Sequence, residues 1–161
     1  MITAVDTNIL IDVAGDSPLF YDKSMELLKA QAASGAMMIC PIVYSEVLVS
    51  FLRRYGKGEA VSKLDSFLSE IGIQVSGFAK NDLVLAAEAW LEFLKIKSGI
   101  ECPKCGANNA VPCRKCRFQL LWRNHVTSDF LIGAHAQNNA DVLLTRDRGY
   151  YKKYFTVKIL P

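Results

Sequence analysis

The chain has 161 residues, 51% of them hydrophobic, enough to bury a sizeable core in a single domain. Mean hydropathy is +0.16, yet no apolar run approaches the ~20 residues of a transmembrane helix, and Met1–Asp6 lacks the basic n-region and long apolar stretch of a signal peptide. A formal charge of +3, from 19 Lys and Arg against 16 Asp and Glu, is only weakly informative about partners. The protein is therefore expected in the cytoplasm, with no membrane partner.

Ile2–Val5 is an apolar run ending on Asp6, as in a buried strand that reaches a sheet edge. A helix is predicted from about Ser17, an N-cap followed by Pro18 at the first helical position, to Ser34-Gly35. Met37–Cys40 reads as a second buried strand. Pro41 opens a helix through Val43, Val47, Leu48 and Phe51 that Gly56-Lys57-Gly58 breaks. An amphipathic helix then carries Val61, Leu64, Phe67 and Leu68 to Gly72, and Ile73–Val75 is a short strand. Asn81 or Asp82 caps a long helix bearing Leu83, Ala87, Trp90, Leu91 and Leu94, which ends near Ser98-Gly99.

After a cysteine-rich segment, Thr127 or Ser128 caps a helix through Phe130, Ala134 and Gln137, and Val142–Leu144 and Val157–Leu160 are the last strands. Strands alternating with helices predict an α/β fold with a mainly parallel, five-stranded sheet and right-handed crossovers. One domain is expected over residues 1–161, with an insertion at 99–123.

In such sheets ligands bind outside the carboxyl ends of the strands. Asp6 lies at the end of the first strand and Asp147 just beyond Val142–Leu144, while Glu46 and Asp129 fall in the first turns of helices that begin at the same rim. Each alone has an ordinary reading as a turn or helix-start residue. Together they form four carboxylates at one edge, each raising the others' pKa unless a cation compensates. Oxygen ligands suit Mg²⁺ or Mn²⁺, and a metal so held promotes phosphodiester hydrolysis.

Asp6-Thr7-Asn8, Pro41–Glu46, Ser128–Ala136 and Leu144–Arg148 resemble, in order, the four motifs of PIN-domain proteins, above all the VapC-type ribonuclease toxins. The resemblance covers nearly the whole chain except the cysteine segment. It implies a three-layer α/β/α sandwich, Mg²⁺- or Mn²⁺-dependent endonucleolytic cleavage of RNA, a cognate antitoxin and a homodimer. By the same resemblance Asp6, Asp129 and Asp147 hold the metal, Glu46 completes the acidic set and Thr145 supports a carboxylate or bound water; Asn8 receives no role. Arg146 and Arg148, with Lys152 and Lys153 beyond them, are candidates for RNA phosphate contacts. His135 is read as structural, since it lies on a different face of the Asp129 helix.

Cys102, Cys105, Cys113 and Cys116 form C-x2-C-x7-C-x2-C, whereas Cys40 stands alone. Two such knuckles suit one tetrahedral Zn²⁺ in a closed structural site. Arg114, Lys115 and Arg117, with Phe118 and Trp122 interleaved, offer a basic and aromatic surface for single-stranded RNA. The competing reading is a small structural clip. Alternatives for the whole chain are a PIN-type endonuclease of ribosomal RNA maturation and a non-catalytic, zinc-containing RNA-binding protein. A haloacid-dehalogenase-type phosphatase is set aside because Asn8 stands where its second acid belongs.

Overall fold

A computed structural model describes residues 1–15, 19–96, 100–101, 107–120, 126–147 and 149–160. The elements in chain order are β1 (Ile2–Val5), α1 (Thr7–Ala14), α2 (Tyr21–Ser34), β2 (Ala36–Ile39), α3 (Pro41–Glu70), β3 (Ile73–Val75) and α4 (Lys80–Ile96). Four two-residue strands follow: β4 (Ile100–Glu101), β5 (Asn108–Asn109), β6 (Val111–Pro112) and β7 (Gln119–Leu120). The chain ends with α5 (Ser128–Asn139), β8 (Val142–Leu144), α6 (Gly149–Tyr154) and β9 (Lys158–Leu160).

The main sheet has five strands in the order β3-β2-β1-β8-β9, and every adjacent pair is parallel. Thr3, at its centre, is in register with Met37 on one side and Val142 on the other. The apolar runs make sense in that position: Ala4, Val5, Ile39, Leu143 and Leu144 are all buried, as strands covered on both faces require. From β1 the chain moves outward through β2 to β3, then returns to β8 and β9 on the other side. Right-handed crossovers turn that reversal into helices on both faces. Accordingly α1 packs with α2 and α3, while α5 packs with α4 and α6. The reversal also places a topological switch point between β1 and β8, and in parallel α/β sheets ligands bind outside the carboxyl ends of the strands at such a point. Among the described residues no helix is long and apolar enough to cross a membrane.

Several local features differ from the sequence-based expectation. α1 was not anticipated, because Thr7, Ile9, Ile11 and Val13 place a β-branched residue at every second position and disguise the helical period. Burial of Ile9, Leu10 and Val13 and capping by Asp6 outweigh that weak propensity. The predicted cap at Ser17 and Pro18 lies outside the described residues, as does the Ser98-Gly99 terminus. The predicted break, by contrast, is present: Gly56 kinks the chain at φ 73°, a backbone that glycine adopts without a Cβ clash, between two helical segments of α3.

Two interactions tie α4 and α5 into the frame. Asp82, buried in the first turn of α4, accepts a hydrogen bond from the Ala79 N–H at 2.8 Å and others from the amides of Asn138 and Asn139 at 2.8 and 3.1 Å. Gly133 of α5 meets the Phe155 ring so closely that a Cβ there would lie 2.4 Å from it. The strands on either side of the cysteine segment, β3 and β8, belong to the same sheet.

Candidate active site

The site is built first from Asp6. Its backbone N–H donates to the Leu144 carbonyl at 3.0 Å, which extends the β1–β8 pairing by one residue and delivers the side chain to the rim. The carboxylate is 4% exposed. Its Oδ1 accepts from the Thr7 N–H at 2.7 Å, and its Oδ2 accepts from the Asn8 amide at 2.7 Å and the Thr145 hydroxyl at 2.6 Å. Asp6 thus caps α1 and stays fixed in rotation.

Thr145 sits immediately beyond β8 and is fully buried. Besides donating to Asp6, its hydroxyl accepts from the Asp147 N–H at 3.0 Å and the Asn8 amide at 3.1 Å. One small side chain therefore couples two of the carboxylate-bearing segments. Asn8 closes the ring, its Oδ1 accepting from the Arg146 N–H at 3.2 Å. Asp147 Oδ1 accepts from the Gly149 N–H at 2.8 Å, at the start of α6.

Glu46 enters from α3, whose first residue is Pro41. The Thr7 hydroxyl donates to its Oε2 at 2.5 Å, bridging the first motif to the second. Asp129 enters from the first turn of α5. Its carboxyl is raised from 3.8 to about 6, first by burial and then by the charges of Asp6, Asp147 and Glu46. Asp6 is raised as well, by burial above all; its bonds from Thr145 and Thr7 oppose the rise, and Glu46 and Asp147 add to it. The four sequence-predicted acids therefore lie within one another's fields.

Among the described residues no three His, Cys, Asp or Glu side chains close into a ready-made coordination set. Fit to a metal rests instead on the chemistry of the donors. They are all oxygens, they repel one another, and two of them are held toward the protonated form, by burial first and by one another's charge after it. A hard divalent cation is the group that such a set lacks. Asp6, Asp129 and Asp147 are the residues that could hold it.

Arg146 is engaged elsewhere. Its Nε and Nη2 pair with Asp12 Oδ2 and Oδ1 at 2.8 and 2.9 Å, and its guanidinium stacks 4.1 Å from the centroid of Phe20. Ser24 also donates to Asp12 Oδ2, at 2.8 Å. The predicted phosphate contact thus competes with a bidentate pair that ties the loop after β8 to α1 and α2. Arg148 lies outside the described residues. His135 is buried against the edge of Phe78, and burial lowers its pKa, in keeping with a structural role.

In the cysteine segment, Cys102 and Cys105 lie outside the described residues. Cys113 and Cys116 occupy the loop of the β6–β7 hairpin as free thiols. The Cys113 N–H donates to the Phe118 carbonyl at 2.7 Å, and the Arg117 N–H donates to the Cys113 carbonyl at 2.9 Å. Arg117 adopts φ 62°, the left-handed geometry that closes such a turn. The N–H groups of Cys116 and Lys115, and then the Cys116 thiol, hold the Cys113 thiol below its ordinary range. Arg114, Lys115 and Arg117 are exposed, and Phe118 is 66% exposed.

Sequence reasoning passed over Thr7, Asn8 and Asp12. The signal for the first two was present in the polar side chains directly after Asp6, but it needed α1 to point them back at the rim. Asp12 reads as an ordinary helix residue until Arg146, 134 positions later, is seen against it.

No curated protein sequence matches the chain. Among solved structures it resembles VapBC2 from Rickettsia felis bound to a DNA fragment from its promoter, with 24% identity, TM-score 0.64, and coverage of 99% of this chain and 98% of that one. It also resembles DNA-bound VapBC from Salmonella typhimurium, with 14% identity, TM-score 0.62, and 99% and 97% coverage. A third is VapC20 from Mycobacterium tuberculosis, a sarcin-ricin loop cleaving toxin, with 15% identity, TM-score 0.55, and 96% coverage of each chain. These likenesses concern the fold, and they extend past the cysteine segment to the end of the sheet. Residues 3–97, which include Asp6 and Glu46, match the PIN domain family, and the chain belongs to that family.

Proposed function

We propose that the protein is a Mg²⁺- or Mn²⁺-dependent endoribonuclease that acts as the toxin of a toxin–antitoxin pair. The observation that carries this reading is that Asp6, Glu46 and Asp147 all act electrostatically on the buried Asp129 carboxyl, which burial first and then their charges raise to about 6. Membership of the PIN family and the likeness to VapC-type folds support it. When bound, the cation would activate water and neutralise charge developing on a phosphodiester.

The chain's own residues do the rest. Asp6, Asp129 and Asp147 bind the cation, with Asp6 immobilised by three hydrogen-bond donors so that little ordering remains when it binds. Thr7 orients Glu46, and Thr145 links Asp6 to the Asp147 backbone. The intact acidic set favours catalysis over a purely RNA-binding role. Replacing Asp6 by Asn should lower Mn²⁺-dependent cleavage of a structured-RNA panel by at least ~10²-fold. Unchanged cleavage would overturn the assignment. Toxicity on expression, relieved by a small neighbouring protein, would identify the antitoxin, and sedimentation would test the expected homodimer.

We further propose that Cys102, Cys105, Cys113 and Cys116 bind one structural Zn²⁺. The tight turn at Cys113–Arg117, with backbone N–H groups aimed at the Cys113 sulfur, supports this, because thiolate ligands are stabilised in that way. Arg114, Lys115 and Arg117, and Arg148 after the acidic site, would contact RNA phosphates. Metal analysis finding no zinc in purified protein would refute the first part. RNA affinity unchanged when Arg114, Lys115 and Arg117 are replaced together would refute the hairpin's part in RNA binding.

A further inference from the structure

Among the described residues, three buried polar side-chain atoms lack a hydrogen-bond partner: Trp90 Nε1, His135 Nε2 and Tyr151 Oη. Trp90 lies among the aromatic rings of Phe93 and Phe130, and His135 lies against Phe78. Tyr151 differs from both. It stands in α6, four positions past Asp147, with 1% of its surface exposed and Phe155 beside its ring. Burial and then the charges of Asp6, Asp129, Asp147 and Glu46 drive its titration far above the usual tyrosine range. The phenol is therefore a permanent donor, set within the field of all four acids and accepted by none of them. Buried hydroxyls are ordinarily satisfied by protein, water or ligand, and an orphan beside a ligand site points to what the site takes in.

We propose that Tyr151 is a positioning residue of the acidic site, its hydroxyl donating to an ordered water that in turn donates to the carboxylates holding the divalent cation. The proposal rests on the metal-dependent reading above. It follows from the inventory of groups. Ionised carboxylates only accept hydrogen bonds, so a water placed between them and the phenol satisfies both sides, accepting from Oη and giving its protons to the acids. Groups that orient metal-binding carboxylates in this way commonly govern affinity by 10–100-fold. Tyr151 is not among the direct hydrogen-bond partners of Asp6, which are Thr7, Asn8 and Thr145, so its contribution is additional to theirs.

The test is calorimetric titration of Mn²⁺ into the full-length protein as wild type, Tyr151→Phe and Asp6→Asn, with thermal melts of the metal-free forms. Tyr151→Phe should bind Mn²⁺ ~10-fold more weakly, at the lower end of that range because one water intervenes. Its metal-free form should melt at or above the wild-type temperature, since Phe fills the same volume without the orphaned hydroxyl. Wild-type Mn²⁺ affinity in Tyr151→Phe, with binding lost in Asp6→Asn, would overturn this role for Tyr151 and leave the acidic site standing. A metal-free Tyr151→Phe that melts well below wild type would mean that the hydroxyl has a protein partner, and would overturn it too. Absence of Mn²⁺ binding by the wild type would overturn the metal-dependent reading and the tyrosine's role with it.

Discussion

Asp129→Asn should stabilise the metal-free protein while abolishing its activity. The Asp129 carboxyl is raised from 3.8 to about 6 by burial, reinforced by Asp6, Asp147 and Glu46. A shift of roughly two units corresponds to ~3 kcal/mol between the two protonation states. Because the folded value lies above the unfolded one, the fold prefers the neutral acid. The stability associated with that form is complete below about pH 4 and is lost as pH rises through about 6. Asparagine stays neutral throughout.

Removing the charge also forfeits a favourable position in the first turn of α5, worth ~0.5–1 kcal/mol. The expected net gain is therefore ~2 kcal/mol at about pH 8, shrinking to nothing near pH 4. Urea denaturation of both proteins at the two pH values, without Mg²⁺ or Mn²⁺, measures it. Excess Mn²⁺ should then stabilise the wild type, by ~2.7 kcal/mol at 100 times the dissociation constant, and erase the variant's advantage. An Asn variant no more stable than wild type at pH 8 would refute the electrostatic account of the site.

Arg146→Ala strands the buried Asp12 carboxylate and removes the Phe20 stack, and should cost ~3 kcal/mol by the same denaturation assay; Arg146→Lys, lacking the planar fork, should recover only part of it. Thr145→Val removes the hydroxyl that holds Asp6 toward its ionised form, so Asp6 is raised further and the acid limb of Mn²⁺ binding should move to higher pH. Gly133→Ala forces a Cβ onto the Phe155 ring and should destabilise by ~1–3 kcal/mol in a thermal melt while leaving Mn²⁺ affinity intact.

The parallel α/β class, the five sheet strands and the four acids were legible in the sequence for physical reasons. Ile2–Val5 and Val142–Leu144 are continuous apolar runs, as strands covered on both faces must be, and each leads directly into an acid-bearing segment. Pro41 and the polar residues at Thr127–Ser128 mark helix starts by local chemistry alone, although the Thr127 hydroxyl makes no cap bond. Spacing also marked the two Cys-x-x-Cys pairs, of which only Cys113 and Cys116 fall within the described residues, in the loop of the β6–β7 hairpin.

Tertiary structure decided what local pattern could not encode. α1 forms because Ile9, Leu10 and Val13 find a core, against a weak propensity. Asn8 becomes the clasp between Asp6, Thr145 and Arg146 only once β8 lies beside β1, across 137 residues of chain. Arg146 turns from a free cation into the partner of buried Asp12 by the same long-range closure. Side-chain type and period report a residue's own surroundings, whereas its partner across the fold is set by strand order, and strand order emerges only when the whole core is packed.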